Sequence, residues 1–204
     1  MSAYDHEADG RVVYGLQHGY VRPVCTFIFW EYSDSFIARR AVRIEDGPWG
    51  HMGIGFKLLT GEQIYYEALF GKGFIGAKPL IRLQNFVKEN PKRKYALEYT
   101  DLNESQSQEK LNRCEEMKGT AGYAELQLLF MAMSERYHIP VPRSKNRVVC
   151  SEAVSRILYP EIDLRDSRRS RHDMVNPVSA WRRWLEIKNG YGHISAPVVA
   201  PAAA

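Results

Sequence analysis

From His51 to Phe70 the chain alternates in a pattern that a β-hairpin satisfies and a helix does not. Met52, Ile54 and Phe56 fall on one face of an extended strand, and His51, Gly53 and Gly55 on the other. Thr60-Gly61 is a turn signal, and Ile64-Tyr65-Tyr66-Glu67-Ala68-Leu69-Phe70 reads as the returning strand. The apolar face belongs against a core. The other carries a histidine followed by two residues without side chains, which clear space beside it. Register decides what this hairpin can do. If opposed residues have numbers summing to an even value, His51 and Glu67 share a face. A sum of 118 sets them directly opposite, and an odd sum separates them. A single glutamate in so apolar a strand is either an edge-strand carboxylate in water or a buried one held by a partner.

A second constraint comes late in the chain. Pro140 to Asn146 is extended and polar; then Arg147-Val148-Val149 runs into Cys150-Ser151-Glu152-Ala153-Val154, which opens an apolar-periodic helix ending near Leu158 at Pro160. A cysteine in the first turn of a helix lies beside unpaired backbone N–H groups and the positive end of the dipole, which favour the thiolate. Such a cysteine is a nucleophile or a buried structural thiol. The other two cysteines lack that setting. Cys25 sits in the apolar strand Val24 to Trp30, and Cys114 lies mid-helix among charges. Three cysteines, widely spaced, form no disulfide framework and no metal motif, which suits a reducing compartment.

The chain has 204 residues, 45% hydrophobic and 25% charged, enough for one domain with a core. No apolar run approaches a membrane span. Met1 to Arg11 is polar and acidic, so no secretory signal and a cytoplasmic setting are expected, although a processed secreted chain reads the same. The net charge of +4 is concentrated between Leu164 and Trp184, where six arginines face two aspartates. Such a patch binds anions or is a solvated face. Without an aromatic platform it gives no nucleic-acid module.

The expected organisation is an arm over 1–22, one catalytic domain over 23–188 and a low-complexity tail over 189–204. Further helices are expected over Phe36–Ile44, from Ser105 to about Lys118, over Tyr123–Tyr137 and around Trp181 to Leu185; Arg93 to Thr100 reads as a strand. Gly71 to Gly76 reads as a flexible link into Lys78 to Phe86, because it lacks the spacing of a phosphate loop. His138, at a helix end, is a weaker partner for the thiol than His51. His51, His138, His172 and the cysteines show no ligand spacing, so neither a metal nor another cofactor is expected.

Cysteine catalysis requires a thiolate, an imidazole to hold and shuttle the proton, and a polar group to orient the imidazole. Cys150, His51 and Glu67 supply these, and the backbone N–H groups of Cys150 and Ser151 are candidates for an oxyanion site. The succession Gly50-His51-Met52-Gly53-Ile54-Gly55, Ile64-Tyr65-Tyr66-Glu67-Ala68, Gly122-Tyr123 and Val149-Cys150-Ser151-Glu152 resembles the circularly permuted papain-like cysteine hydrolases. It is closest to the YiiX-like branch of the NlpC-related cysteine peptidases, relatives of the lecithin:retinol acyltransferase group. There the histidine strand precedes the cysteine helix, as here. The resemblance spans roughly Val24 to Tyr159. It implies an α+β fold, a small antiparallel sheet packed with helices and the nucleophile at a helix N-terminus. It also implies hydrolysis of a peptide or other amide through a thioester, with Cys150 as nucleophile, His51 as general base and acid and Glu67 orienting His51. Tyr123 matches a family tyrosine, without an assigned role. The chain departs from the family in lacking Gly-Asp at the first strand (Pro23-Val24-Cys25 instead) and in carrying Val149 where tyrosine is common. Two other readings remain open: an acyltransferase or lipid-ester hydrolase with the same residues, and a non-catalytic binding protein on the same scaffold. Oligomeric state is not legible.

Overall fold

The computed structural model describes residues 22–32, 47–69, 71–119, 122–123, 147–165, 171–172 and 175–190. The expected helices over Phe36–Ile44 and beyond Tyr123, His138, nearly all of the arm and the tail from residue 191 lie outside them.

Within these residues the protein is α+β. Strands β1 (Pro23–Glu31), β2 (His51–Leu58), β3 (Gln63–Leu69), β4 (Gly73–Pro79) and β5 (Tyr95–Tyr99) form one sheet in the order β4-β3-β2-β1-β5, with every neighbour antiparallel. Helix α1 (Leu80–Glu89) follows β4, α2 (Glu104–Met117) follows β5, and α3 (Cys150–Leu158) and α4 (Pro177–Lys188) come late in the chain. Two short parallel strands, β6 (Gly122–Tyr123) and β7 (Arg147–Val148), lead into α3. Among the described residues no helix is long and apolar enough to cross a membrane.

The sheet is buried on both faces, which explains the uninterrupted apolar run in β1. Ile28 and Trp30 join Met52, Ile54, Phe56, Ile64 and Tyr66 in the larger core, closed by Ala153, Val154, Ile157 and Leu158 of α3 and Trp184 of α4. Phe27 and Phe29 point the other way, to Tyr65 and to Leu80 and Leu83 of α1. Each face therefore removes large side chains from water, at about 25 cal/mol per Å² of apolar area. The predicted strand over Arg93–Thr100 and the helix around Trp181 are β5 and α4. The helix expected from Ser105 begins at Glu104, capped reciprocally by Asn103 and Gln106.

Three expectations change. Gly71 to Gly76 is not a link: Gly73 begins β4, and α1 starts only after Pro79. Gly76 has to lack a side chain because a Cβ there would lie 1.7 Å from the Tyr66 ring. Tyr123, expected at the start of a helix, pairs in β6 with Val148, and the rest of that expected helix lies outside the described residues. The space over Gly53 and Gly55 is not left open beside His51. It is filled by the rings of Phe29 and Phe27, directly opposite on β1.

Strand β4 also carries a bulge. Ile75 opposes Glu67, but Lys78, not Ala77, opposes Tyr65, so the register slips by one residue around Gly76 and Ala77. Ala77 is the one non-glycine residue with positive φ (56°) among the described residues, a conformation that costs an L-residue roughly 1–2 kcal/mol.

Candidate active site

The β2–β3 register sets the site. Gly53 opposes Glu67, a sum of 120 rather than 118, so His51 and Glu67 share a face as diagonal neighbours. Across that diagonal Glu67 Oε2 lies 2.9 Å from His51 Nε2. Glu67 is fully buried on a strand flanked by β2 and β4, so it is not an edge carboxylate in water.

Cys150 comes to His51 from the end of the strand. Helix α3 packs on β2 and β3 and presents its first residue to the start of β2. The Cys150 thiolate is favoured by the charge of the His51 ring and by the backbone N–H groups of Met52 and Ser151. With Nε2 engaged by Glu67, Nδ1 is the nitrogen left for the sulfur. The structure brings His51 and Glu67 together and sets Cys150 beside the start of β2, 99 positions after His51 in the chain.

Helices α2 and α4 open with a side-chain cap, Asn103 and Asn176 respectively, whereas α1 opens on Pro79 with none. Helix α3 opens on Val149, which has no acceptor, so no side chain caps it. It forgoes about 1 kcal/mol of capping and leaves its first N–H groups to a thiolate or to a substrate oxygen. Ser151 contributes through its backbone only. Its hydroxyl donates to the Val175 carbonyl at 2.6 Å and ties α3 to the segment preceding α4.

Burial opposes charge on both Cys150 and His51, but each charge offsets the cost of the other. Burial alone would raise the Cys150 pKa; the imidazolium, its hydrogen bond and the two backbone N–H groups lower it below the ordinary thiol value. Burial alone would lower the His51 pKa; the thiolate and then Glu67 raise it well above the ordinary imidazole value. Both directions favour a thiolate–imidazolium pair. The remaining cysteines move the other way. Burial raises Cys25, and burial with the Glu115 charge raises Cys114 further.

Two further ion pairs enclose this relay. Lys78, fully buried on β4, approaches Glu67 Oε1 at 3.3 Å. Glu31, directly opposite His51 on β1, accepts from Arg93 at 2.8 Å. The ligand atoms of Glu31, His51 and Glu67 lie within 4.8 Å of one another, close enough to share a divalent cation. Lys78 and Arg93 already compensate the two carboxylates, so an entering ion has to displace an ammonium and a guanidinium. Sequence reasoning missed Glu31 and Lys78. The signal for Glu31 was the alternation Phe27, Phe29, Glu31; Lys78 had none, because the bulge hides its face.

Tyr123 reaches the neighbourhood by its backbone, paired with Val148 two residues before Cys150; its side chain is outside the described part. In the arginine-rich stretch, Arg165 binds Asp163 at 2.6 Å and lies over the Tyr159 ring, and Arg183 binds Glu186 at 2.8 Å. These two serve the fold. No protein-family model matches the chain, and no curated protein matches it.

Proposed function

We propose that this protein is a cysteine hydrolase of the circularly permuted papain-like type, cleaving an amide, such as a peptide bond, through a thioester on Cys150. The observation that carries the proposal is the buried Glu67 carboxylate on His51 Nε2 at 2.9 Å, together with the charge of the same ring favouring the Cys150 thiolate. The element order, with histidine and carboxylate strands adjacent in one antiparallel sheet and the cysteine helix later in the chain, supports the same reading.

In the first half-reaction the Cys150 thiolate attacks the carbonyl carbon. The carbonyl π pair moves to oxygen, which backbone N–H groups at the uncapped start of α3 stabilise. As the carbon–nitrogen bond breaks, the His51 imidazolium gives its proton to the leaving amine. In the second, neutral His51 takes a proton from water while the oxygen attacks the thioester. Collapse expels the Cys150 thiolate, releases the carboxylic acid product and restores the ion pair. Glu67 holds the ring in one orientation and favours its protonated form.

The test is acylation. Incubation with a panel of activated amides and esters, an acid quench and mass spectrometry of the intact chain are expected to show one acyl group on Cys150, absent in Cys150→Ser and depleted in His51→Ala. A long acyl chain that persists in water but moves to an added amine or alcohol would make the protein an acyltransferase. A wild-type Cys150 that forms no adduct and holds no thiolate at neutral pH would leave only the binding-protein reading.

A further inference from the structure

We propose that Lys78 is a positioning residue of the site: its buried ammonium holds Glu67 as an oriented carboxylate, and through Glu67 it sets the charge state of His51 and Cys150. This rests on the hydrolase reading above and deepens it.

The backbone is the first evidence. In a regular pairing continued from Ile75 opposite Glu67, Ala77 would oppose Tyr65, and Lys78 would point into the larger apolar core beside Ile64 and Phe74. The bulge at Gly76 and Ala77 inserts one residue and turns Lys78 onto the Tyr65–Glu67 face. Ala77 takes a strained positive φ for this, and it is Ala77 that enters the apolar core instead. Bulges next to sites re-aim a side chain in this way.

The second line is charge. Glu67 has two oxygens, and each is used: Oε2 faces His51 at 2.9 Å and Oε1 faces Lys78 at 3.3 Å. Carboxylate and ammonium are both removed from water, and their pairing offsets part of the cost of burying the two charges. The groups around them are Tyr65, whose ring centroid is 5.9 Å from Lys78 Nζ, and Glu31 with Arg93 beyond His51. Cys150 completes them from α3, while α1 brings Leu80 and Leu83 to this face. With thiolate, imidazolium, two carboxylates, ammonium and guanidinium the cluster is neutral. Removing Lys78 leaves it one negative charge in excess, which raises the pKa of every acid nearby.

The experiment follows the Cys150 thiolate by its ultraviolet absorbance across pH, differenced against Cys150→Ser, so it needs no substrate. In Lys78→Met the acid limb is expected to move to higher pH by about one unit, and in Lys78→Gln, which keeps a polar contact to Glu67, in the same direction. Lys78→Arg is expected to stay near the wild-type limb. In a Glu67→Gln background Lys78→Met is expected to lose or reverse its effect. An unmoved limb in the folded Met and Gln variants would overturn the inference. So would the same shift with and without Glu67. If wild-type Cys150 ionises no earlier than an ordinary thiol, it is the hydrolase reading that fails first.

Discussion

Gly53 and Gly55 allow the site to be perturbed by one methyl group at a time. A Cβ on Gly53 would lie 2.1 and 2.2 Å from two atoms of the Phe29 ring and 2.7 Å from the Tyr66 carbonyl oxygen. To reach an ordinary contact of 3.4 Å the ring has to retreat by about 1.3 Å. It has little room: Phe29 is fully buried, edge-on to Tyr65 at 5.3 Å, and its centroid is 6.1 Å from the His51 ring. A Cβ on Gly55 makes a matching clash with Phe27, at 2.1 Å. The neighbour of Phe27, however, is the half-exposed Tyr99 at 5.6 Å, which can give way, and His51 is not beside it.

Overpacking of this kind costs about 1–3 kcal/mol, offset by up to about 1 kcal/mol because alanine loses less backbone freedom than glycine. Each variant is therefore expected to lose about 1–2 kcal/mol, a fall in Tm of roughly 2–8 °C for a domain of this size. The site effects separate them. A displacement of His51 on the order of 1 Å costs about 100-fold in rate, so Gly53→Ala is expected to abolish most acylation of Cys150 and Gly55→Ala to spare it. Circular dichroism melts and the Cys150 acylation rate measure the two quantities. Equal losses of acylation at similar Tm would refute the assignment of Gly53 to the site, and an unchanged Gly53→Ala would refute the packing argument itself.

Acylation by any good substrate is expected to follow a bell in pH. Its acid limb lies below the ordinary thiol range, since Cys150 is lowered, and its alkaline limb above the ordinary imidazole range, since His51 is raised. Replacing His51 by asparagine removes the cation while burial remains, so the Cys150 thiolate absorbance is expected to appear only at or above ordinary thiol pH; an unmoved titration would detach His51 from the thiol. Cys150→Ala is expected to remove all acylation and, in thermal melts, to cost less than about 2 kcal/mol of stability, because it deletes a single buried sulfur atom. Away from the site, Glu161→Gln strands the fully buried Lys110 ammonium with only Glu109 at 3.6 Å. A loss of about 2–3 kcal/mol is expected by denaturant melts at neutral pH. Burial works against the Glu161 charge, but Lys110 holds its pKa below the ordinary value. The stability it contributes is therefore present above the unfolded carboxylate pKa and lost as pH falls through the lowered one, so wild type and variant are expected to converge in acid.

Much of the sheet was legible because period-two alternation is a local signal. Met52, Ile54 and Phe56 against His51, Gly53 and Gly55 named the faces of β2, and a lone glutamate in β3 named the residue to watch. Helices α3 and α4 were legible from apolar residues and from the prolines beside them, Pro160 and Pro177, and α2 as a highly charged, exposed helix beginning near Ser105. What the same signals misread was β4. Its glycines look like a link because their cause, the Tyr66 ring over Gly76, lies on another strand. Glu31 was passed over because a strand end read by composition stops at Trp30.

The sequence by itself determined that a cysteine would open a helix after two valines and that a histidine would stand on a strand with glycines beside it. Those are properties of neighbours along the chain. Only the tertiary structure decided that His51 and Glu67 share a face at a register sum of 120, that Phe29 occupies the space over Gly53, and that Lys78 turns inward to the carboxylate. Register and bulge are settled by side chains meeting across strands, where a slip of one residue exchanges the two faces of the sheet. The charges of the site follow from that choice, since a buried carboxylate is stable only beside the cations that the fold delivers to it.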